Sequence, residues 1–275
     1  MIFSGKKFSL ELGKKTYVMG ILNVTDDSFF DGGKYNSPEK ALEHAKRMLK
    51  EGADIIDIGA HSTRPNHRSL TADEELEIIK NYLPLIYYET EAVISVDTFY
   101  PSVARYALQN GASIINDVSG NFNEEMAQLV KEYHCGWIVT HTGGGDSSTI
   151  PEYKKDIITE VSDFFADILN KCGCFGINKN QLCLDVGIGF GKTYEHNLEL
   201  IKKLKEVKVN DVAMLMALSS KRVVKMSTEA DNDDLVYGTI AGNVIAISGG
   251  ADIIRVHNVK ENVLSCKMAD KVLRG

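Results

Sequence analysis

The stretch Gly20-Ile-Leu-Asn-Val-Thr-Asp-Asp-Ser-Phe-Phe-Asp-Gly-Gly33 passes abruptly from an apolar run to a polar loop. Asn23, Thr25, Asp26, Asp27, Ser28 and Asp31 fall within nine positions. Carboxylates, hydroxyls and an amide packed this closely after a buried strand suit a loop that handles phosphate or metal at the strand's C-terminal end. The competing reading is a plain Asp/Ser turn closed by Gly32-Gly33. The residues that end the other apolar runs decide between the two. Asp57 precedes Ser62-Thr63-Arg64-Pro65, and Asp97 precedes Thr98. Asn116-Asp117 precedes Ser119-Gly120, and His141 closes the fifth run. Asp185 precedes Gly187-Ile-Gly-Phe-Gly-Lys-Thr193, the seventh run ends in Ser219-Ser220-Lys221, and the eighth in Arg255 and His257.

These groups sort by chemistry. Asp97, Asn116 and Asp185 offer acceptors and amide donors deep in a pocket, where a carboxylate suits a flat heterocycle presenting two adjacent N–H donors. Arg64, Lys221, Arg255 and His257 are cations or donors nearer the rim. With Asn23 they could hold an anion, a pyrophosphate with a divalent metal being one that fits. Ser219-Ser220-Lys221 is expected to open a helix, whose free N–H groups bind carboxylate or phosphate. Other readings fail. Gly187 to Thr193 looks like a P-loop, but the first glycine of that motif falls on Val186. No two His or Cys residues have zinc-site spacing, which excludes a catalytic zinc. His141 is open to a ligand role or a structural one. Trp137 is expected in the core.

The elements that must position these residues alternate along the chain. After an N-terminal hairpin over residues 1–15, apolar strand patterns occupy 17–23, 53–59, 92–98, 113–118, 136–141, 181–186, 213–219 and 252–257. Each is followed by a stretch of helical period. Ser37-Pro38 supplies an N-cap with proline at the first helical position, and Thr71 to Glu74 a capping box. Eight such units in one run predict an α/β fold, a (β/α)8 barrel, as a single domain over 1–275. A doubly wound open sheet is the less regular alternative. Gly52-Ala-Asp-Ile-Ile-Asp57, Gly111-Ala-Ser-Ile-Ile-Asn116 and Gly250-Ala-Asp-Ile-Ile-Arg255 repeat one pattern on strands two, four and eight. Side chains of alternate strands share a layer. Asp57, Asn116 and Arg255 are therefore expected at one level, with Asp185 of strand six as the fourth member. Such a polar ring is costly unless paired or liganded.

The bulk composition of the 275 residues is consistent with this. Net charge is −7, which argues against a broad nucleic-acid-binding face. The five cysteines are scattered, as expected of reduced thiols in a cytoplasmic protein. The charged start of the chain does not read as a signal peptide, and no apolar run approaches the roughly 20 residues needed to span a bilayer.

Seven blocks in order resemble dihydropteroate synthase over almost the whole length. They are Gly20 to Gly33, Asp57 to Pro65, Ile94 to Thr98, Ile115 to Gly120, Gly187 to Thr193, Ser219 to Lys221, and Arg255-Val-His257. The resemblance implies a magnesium-dependent condensation of 6-hydroxymethyl-7,8-dihydropterin pyrophosphate with 4-aminobenzoate, giving 7,8-dihydropteroate and pyrophosphate in folate synthesis. It implies Asn23 at the metal, and Asp97, Asn116, Asp185 and Lys221 on the pterin. Arg255 would flank the ring, with Phe190 among the substrate contacts. His257 would bind pyrophosphate, Thr63 and Arg64 would serve pyrophosphate and the second substrate, and Ser219 would hold the aminobenzoate carboxylate. Asp97, Lys221, Arg255 and His257 would carry the catalysis. A homodimer through the late helices is also implied.

The chain departs from the family pattern at several positions. Asp26 stands for Pro, Phe30 for Ser, Ala60-His61 for Gly-Glu, Thr140-His141-Thr142 for Met-His-Met, Val186 for Pro, Ala217 for Gly, Ser220 for Arg and Asn258 for Asp. Two alternatives stay open on that account: a pterin-binding paralogue with altered or lost activity, and a methyltetrahydrofolate-dependent corrinoid methyltransferase domain. The second should lack the first loop and the Arg255-x-His257 pair.

Overall fold

The computed structural model describes residues 1–24, 37–60, 70–145 and 148–275. Thr63 and Arg64, and the departures at Asp26, Phe30 and His61, lie outside them.

Eight parallel strands close into a barrel: β3 (Tyr17–Asn23), β4 (Ile55–Gly59), β5 (Val93–Asp97), β6 (Ile114–Asp117), β7 (Gly136–Thr140), β8 (Leu182–Asp185), β9 (Ala213–Met216) and β10 (Ile253–Val256), with β10 pairing β3. All eight expected strands are present. Several are shorter than their apolar runs, because the chain leaves the ladder at the barrel mouth while its side chains stay buried.

Each strand is followed by helix. The principal ones are α1 (Pro38–Glu51), α2 (Ala72–Glu89), α3 (Pro101–Gln109), α4 (Glu124–Tyr133), α5 (Ile157–Phe175) and α6 (Tyr194–Lys202). A short α7 (Leu204–Val207) precedes β9; α8 (Arg222–Thr228) and α9 (Leu235–Ser248) precede β10; α10 (Val259–Leu273) ends the fold. The cap signals act as expected. Ser37 accepts from Lys40 N, and Thr71 and Glu74 bond reciprocally.

The repeat explains three of the helix-to-strand turns. Gly52, Gly111 and Gly250 all have φ between 103° and 120°, where an L side chain is strained. At Gly111 a Cβ would also run into the Tyr87 ring. In two of the three copies the third residue of the motif is an aspartate with its own task. Asp54 accepts from Val18 N at 3.0 Å, and Asp252 accepts from Met214 N at 3.0 Å. Each anchors a neighbouring strand at the end remote from the mouth.

The barrel interior is apolar at that remote end. Met19, Ile55, Ile114, Ile138, Cys183, Leu215 and Ile253 pack together inside it. The hairpin of β1 (Ile2–Gly5) and β2 (Phe8–Glu11) closes this end by adding Phe3, Phe8, Leu10 and Leu12 to the cluster. A second apolar layer, including Val18, Leu22, Ile56, Ile58, Val139 and the wholly buried Trp137, lies between the barrel and its helices. With one end plugged by hydrocarbon, the buried Asp57, Asp97, Asn116 and Asp185 lie toward the C-terminal ends of their strands. All five cysteines are free thiols, four of them buried. Among the described residues no helix is long and apolar enough to cross a membrane.

Candidate active site

Asp57 is the hub of the mouth. Its side chain is fully buried, and its Oδ2 accepts from Arg255 Nε at 2.6 Å and from Asn116 Nδ2 at 3.1 Å. The repeat thus brings its three polar residues together. Arg255 also donates through a terminal nitrogen to Asp97 Oδ2 at 2.8 Å. Burial alone would lower the Arg255 pKa, but Asp57 and Asp97 outweigh it and raise the value above normal. Two buried carboxylates hold this guanidinium charged.

The expected ring differs in two respects. Asp97 comes from an odd-numbered strand of the barrel, counting β3 as the first, yet it joins the network, because arginine presents separate N–H groups along a long arm. Asp185 turns instead to its own loop, accepting from Gly187 N at 2.8 Å. It keeps only a through-space attraction to Arg255, with Lys221 the larger positive neighbour. Burial raises the Asp185 pKa, and Lys221 opposes that. Burial lowers the Lys221 ammonium to about 8, and Asp185 opposes that. Each group favours the charged form of the other.

Lys221 caps α8, as the sequence leads one to expect of a helix opened by this turn. Its Nζ donates to Ile188 O at 2.6 Å and lies 5.1 Å from the centre of the Phe190 ring. A cation over an aromatic face is a ready platform for a flat substrate. Ser220, at the family's arginine position, has a left-handed φ of 56°. Ser219 Oγ lies 2.9 Å from His257 Nδ1 and also accepts from His257 N at 3.1 Å. Asn23, the last residue of β3, faces Asp97 across Gly59. Asn23 Oδ1 and Asp97 Oδ2 are each 3.8 Å from where a Gly59 side chain would begin.

Solved structures and curated sequences share this architecture. A model of the pterin binding enzyme family matches residues 19–257. A dihydropteroate synthase from Synechocystis is 40% identical over 95% of this chain and 92% of its own length. The chain belongs to the dihydropteroate synthase family of pterin-binding enzymes. The crystal structure of a Clostridium difficile member, determined in the presence of pteroic acid, superposes with a TM-score of 0.90 at 38% identity, covering 97% of this chain and 100% of that one. A Xanthomonas albilineans synthase with 4-aminobenzoic acid has a TM-score of 0.90 at 32% identity, covering 99% and 98%.

Against the family pattern, the Thr140-His141-Thr142 departure is buried. His141 packs edge-on to Phe164 and stacked on Tyr153, and burial pushes its pKa down to about 3. It is a neutral packing residue, not a base poised near neutral pH.

Two residues carry more than the sequence reading assigned them. One is Asp57, placed in the ring but given no site role. The other is Lys192, passed over with the rejected P-loop. Lys192 is buried and donates to His141 O at 2.8 Å, Phe190 O at 3.0 Å and Gly187 O at 3.1 Å. An ammonium has three N–H groups, and here each has a carbonyl. Burial lowers its pKa to about 7, with Asp185 pulling it back up. Gly187, Gly189 and Gly191 all have positive φ, and at Gly187 the His141 carbonyl occupies the place of a side chain. Alternating glycines followed by a lysine were the signal for this clamp. Lys192→Met is expected to speed amide exchange at Gly189 and Phe190 by about an order of magnitude or more, since their turn loses its anchor to the end of β7. Hydrogen exchange read by mass spectrometry checks it; unchanged protection would show that the glycine turn holds itself.

Proposed function

We propose that the chain, as one barrel domain, condenses 6-hydroxymethyl-7,8-dihydropterin pyrophosphate with 4-aminobenzoate to give 7,8-dihydropteroate and pyrophosphate. The observation that carries this reading is the charge arrangement of the mouth. The Asp57–Arg255–Asp97 network and the Asp185–Lys221 pair place anions and cations side by side in one buried site.

The steps follow from the chain's own residues. Asp185 accepts the adjacent N–H donors of the pterin, with Asn116 beside it and Lys221 and Phe190 flanking the ring. Departure of pyrophosphate leaves positive charge on the exocyclic methylene, and the Asp97 carboxylate stabilises it. Arg255 and His257 stabilise the charge growing on the leaving group, the preorganised electrostatic effect that dominates such catalysis. Thr63 and Arg64 serve the same end of the substrate and the approach of the amine. An aniline nitrogen is neutral at pH 7, so it attacks without a strong base.

Asn23 fits a magnesium ion: its amide oxygen is a hard donor, and Asp97 Oδ2 lies across Gly59 from it. Among the described residues no group of three or more His, Cys, Asp or Glu side chains could cage a metal by itself. Magnesium characteristically takes much of its shell from phosphate oxygens and water. When bound, the ion neutralises charge on the leaving pyrophosphate.

The deciding experiment is turnover with both substrates, followed by pyrophosphate release. Turnover is expected to stop on chelation and return with added magnesium. Pterin binding without turnover would identify a paralogue that keeps the site and has lost the reaction.

The functional unit we propose is a homodimer in the cytoplasm. On α10, Leu264, Met268 and Val272 form an i, i+4, i+8 stripe that is 60–69% exposed. On α9, Tyr237 and Ile245 are also exposed, at 70% and 53%. A buried Asn243–Asn262 hydrogen bond of 2.9 Å fixes α9 against α10, so the two helices present one surface. Leu264→Asp with Met268→Asp is expected to convert the dimer to monomer, as measured by sedimentation equilibrium. A double variant sedimenting as wild type would place the interface elsewhere.

A further inference from the structure

The side chain of Asn116 ends in a primary amide. Its two tips are alike in size and opposite in hydrogen bonding, so only its partners fix which way it lies. Here Asp57 is the partner. Asn116 Nδ2 lies 3.1 Å from Asp57 Oδ2, and Arg255 Nε donates to the same oxygen at 2.6 Å. An oxygen that close to a charged guanidinium N–H belongs to an ionised carboxylate, and a carboxylate only accepts. The NH2 tip of Asn116 must therefore face Asp57, because the carbonyl tip would set two oxygens against each other. Asp57 is wholly buried, so bulk water does not screen that repulsion. Asn116 is itself only 2% exposed, and its side-chain oxygen has no hydrogen-bond partner among the described residues.

We infer that Asp57 is a positioning residue that fixes the amide of Asn116, so that a substrate meets its C=O and its one remaining N–H in a set order. This rests on the reading of the mouth as a pterin site. A pterin carries N3–H and the 2-amino group side by side, the pair assigned to Asp185. Its next edge offers the second amino hydrogen beside the N1 lone pair, a donor next to an acceptor. An amide whose oxygen faces the amino group matches that edge. Turned over, the same amide sets N–H against N–H and oxygen against lone pair, and both bonds are lost. A ring with an oxo group in place of the 2-amino group presents the wrong pair as well. Asp57 thus helps to select a 2-amino heterocycle without touching it.

Protein labelled with 15N-asparagine reports the amide directly, with Asn116→Ser assigning its resonances. In the free wild-type protein one Asn116 amide proton is expected downfield and protected from exchange. In Asp57→Ala both should exchange alike. The spectrum needs no ligand, so it stands even for a chain that binds no pterin, and the wild-type protein decides it even if Asp57→Ala does not fold. Binding is then read by titration calorimetry with 6-hydroxymethyl-7,8-dihydropterin. Asp57→Ala should weaken it about tenfold, the effect of roughly one hydrogen bond. Asp57→Asn should recover most of that, since an amide oxygen can take the place of Oδ2. In an Asn116→Ala background, Asp57→Ala should weaken binding by no more than about twofold further, because the group it positions is gone and Arg255 keeps its bond to Asp97. Two results overturn the proposal. One is a wild-type Asn116 whose two amide protons exchange alike. The other is an Asp57→Ala loss as large without the Asn116 amide as with it, which would leave Asp57 acting through Arg255 alone.

Discussion

Arg255→Met is expected to destabilise the protein by about 3–5 kcal/mol, the range for stripping one partner from a buried charge pair. Turnover should be lost with it. The guanidinium is bound to Asp57 at 2.6 Å and to Asp97 at 2.8 Å, and Asp57 has no exposure to water. Without Arg255, two carboxylates near the centre of the barrel lose the charge that compensates their burial. Asn116 still donates to Asp57, but an amide dipole does not replace a cation. At roughly 2–4 °C per kcal/mol for a protein of this size, the melting temperature should fall by on the order of 10 °C. Adding Asp57→Asn and Asp97→Asn to Arg255→Met should recover most of the stability, because the uncompensated charges go with it. It should recover none of the activity, because the two groups proposed to stabilise the leaving group and the methylene cation, Arg255 and the Asp97 carboxylate, are both gone. If the triple variant melts no higher than the single one, uncompensated charge is not the cause of the loss.

That network was legible because a sequence repeat encodes it. Gly-Ala-x-Ile-Ile places a polar residue at the same height on three even-numbered strands of the barrel, and strand geometry then obliges Asp57, Asn116 and Arg255 to meet. The apolar periodicity likewise identified all eight strands, since a barrel strand buried on both faces is a short unbroken apolar run. Asp97 was harder to place in the network. Its contact depends on how far the Arg255 side chain reaches, which strand height does not specify. Asp185 illustrates the limit from the other side. Its height on β8 matched the ring, but its bonding is decided by the turn after it, where three left-handed glycines and the Lys192 clamp deliver Gly187 N to the carboxylate. The alternating glycines before Lys192 mark the turn, but not which groups the lysine and the carboxylate bond. The Ser219–His257 contact has no such local mark: the two are 38 positions apart and joined because β9 and β10 are adjacent.

Asp185→Asn is expected to weaken pterin binding by roughly 2–5 kcal/mol, a loss of about 30-fold to several thousand-fold in affinity. An ionised carboxylate is acceptor-only and can take two adjacent N–H donors at once. Asparagine keeps one acceptor and turns an NH2 toward the second donor, so one bond is lost and a donor–donor clash replaces it. Lys221 loses a negative neighbour in the same step, and its burial then favours the neutral amine, which removes charge from the platform beside the Phe190 ring. The wild-type protein should also show a pH signature that the variant lacks. Burial raises the Asp185 pKa, so as pH falls the carboxyl protonates earlier than an ordinary aspartate and ceases to accept from the pterin. Pterin affinity should therefore drop on the acid side and rise toward a plateau as pH climbs through that raised pKa. The Asn variant should bind weakly at every pH with no such limb. Titration calorimetry of the pterin with each protein across that range measures both effects. Equal affinities for the two proteins at neutral pH would remove Asp185 from pterin recognition and leave its bond to Gly187 as its whole role.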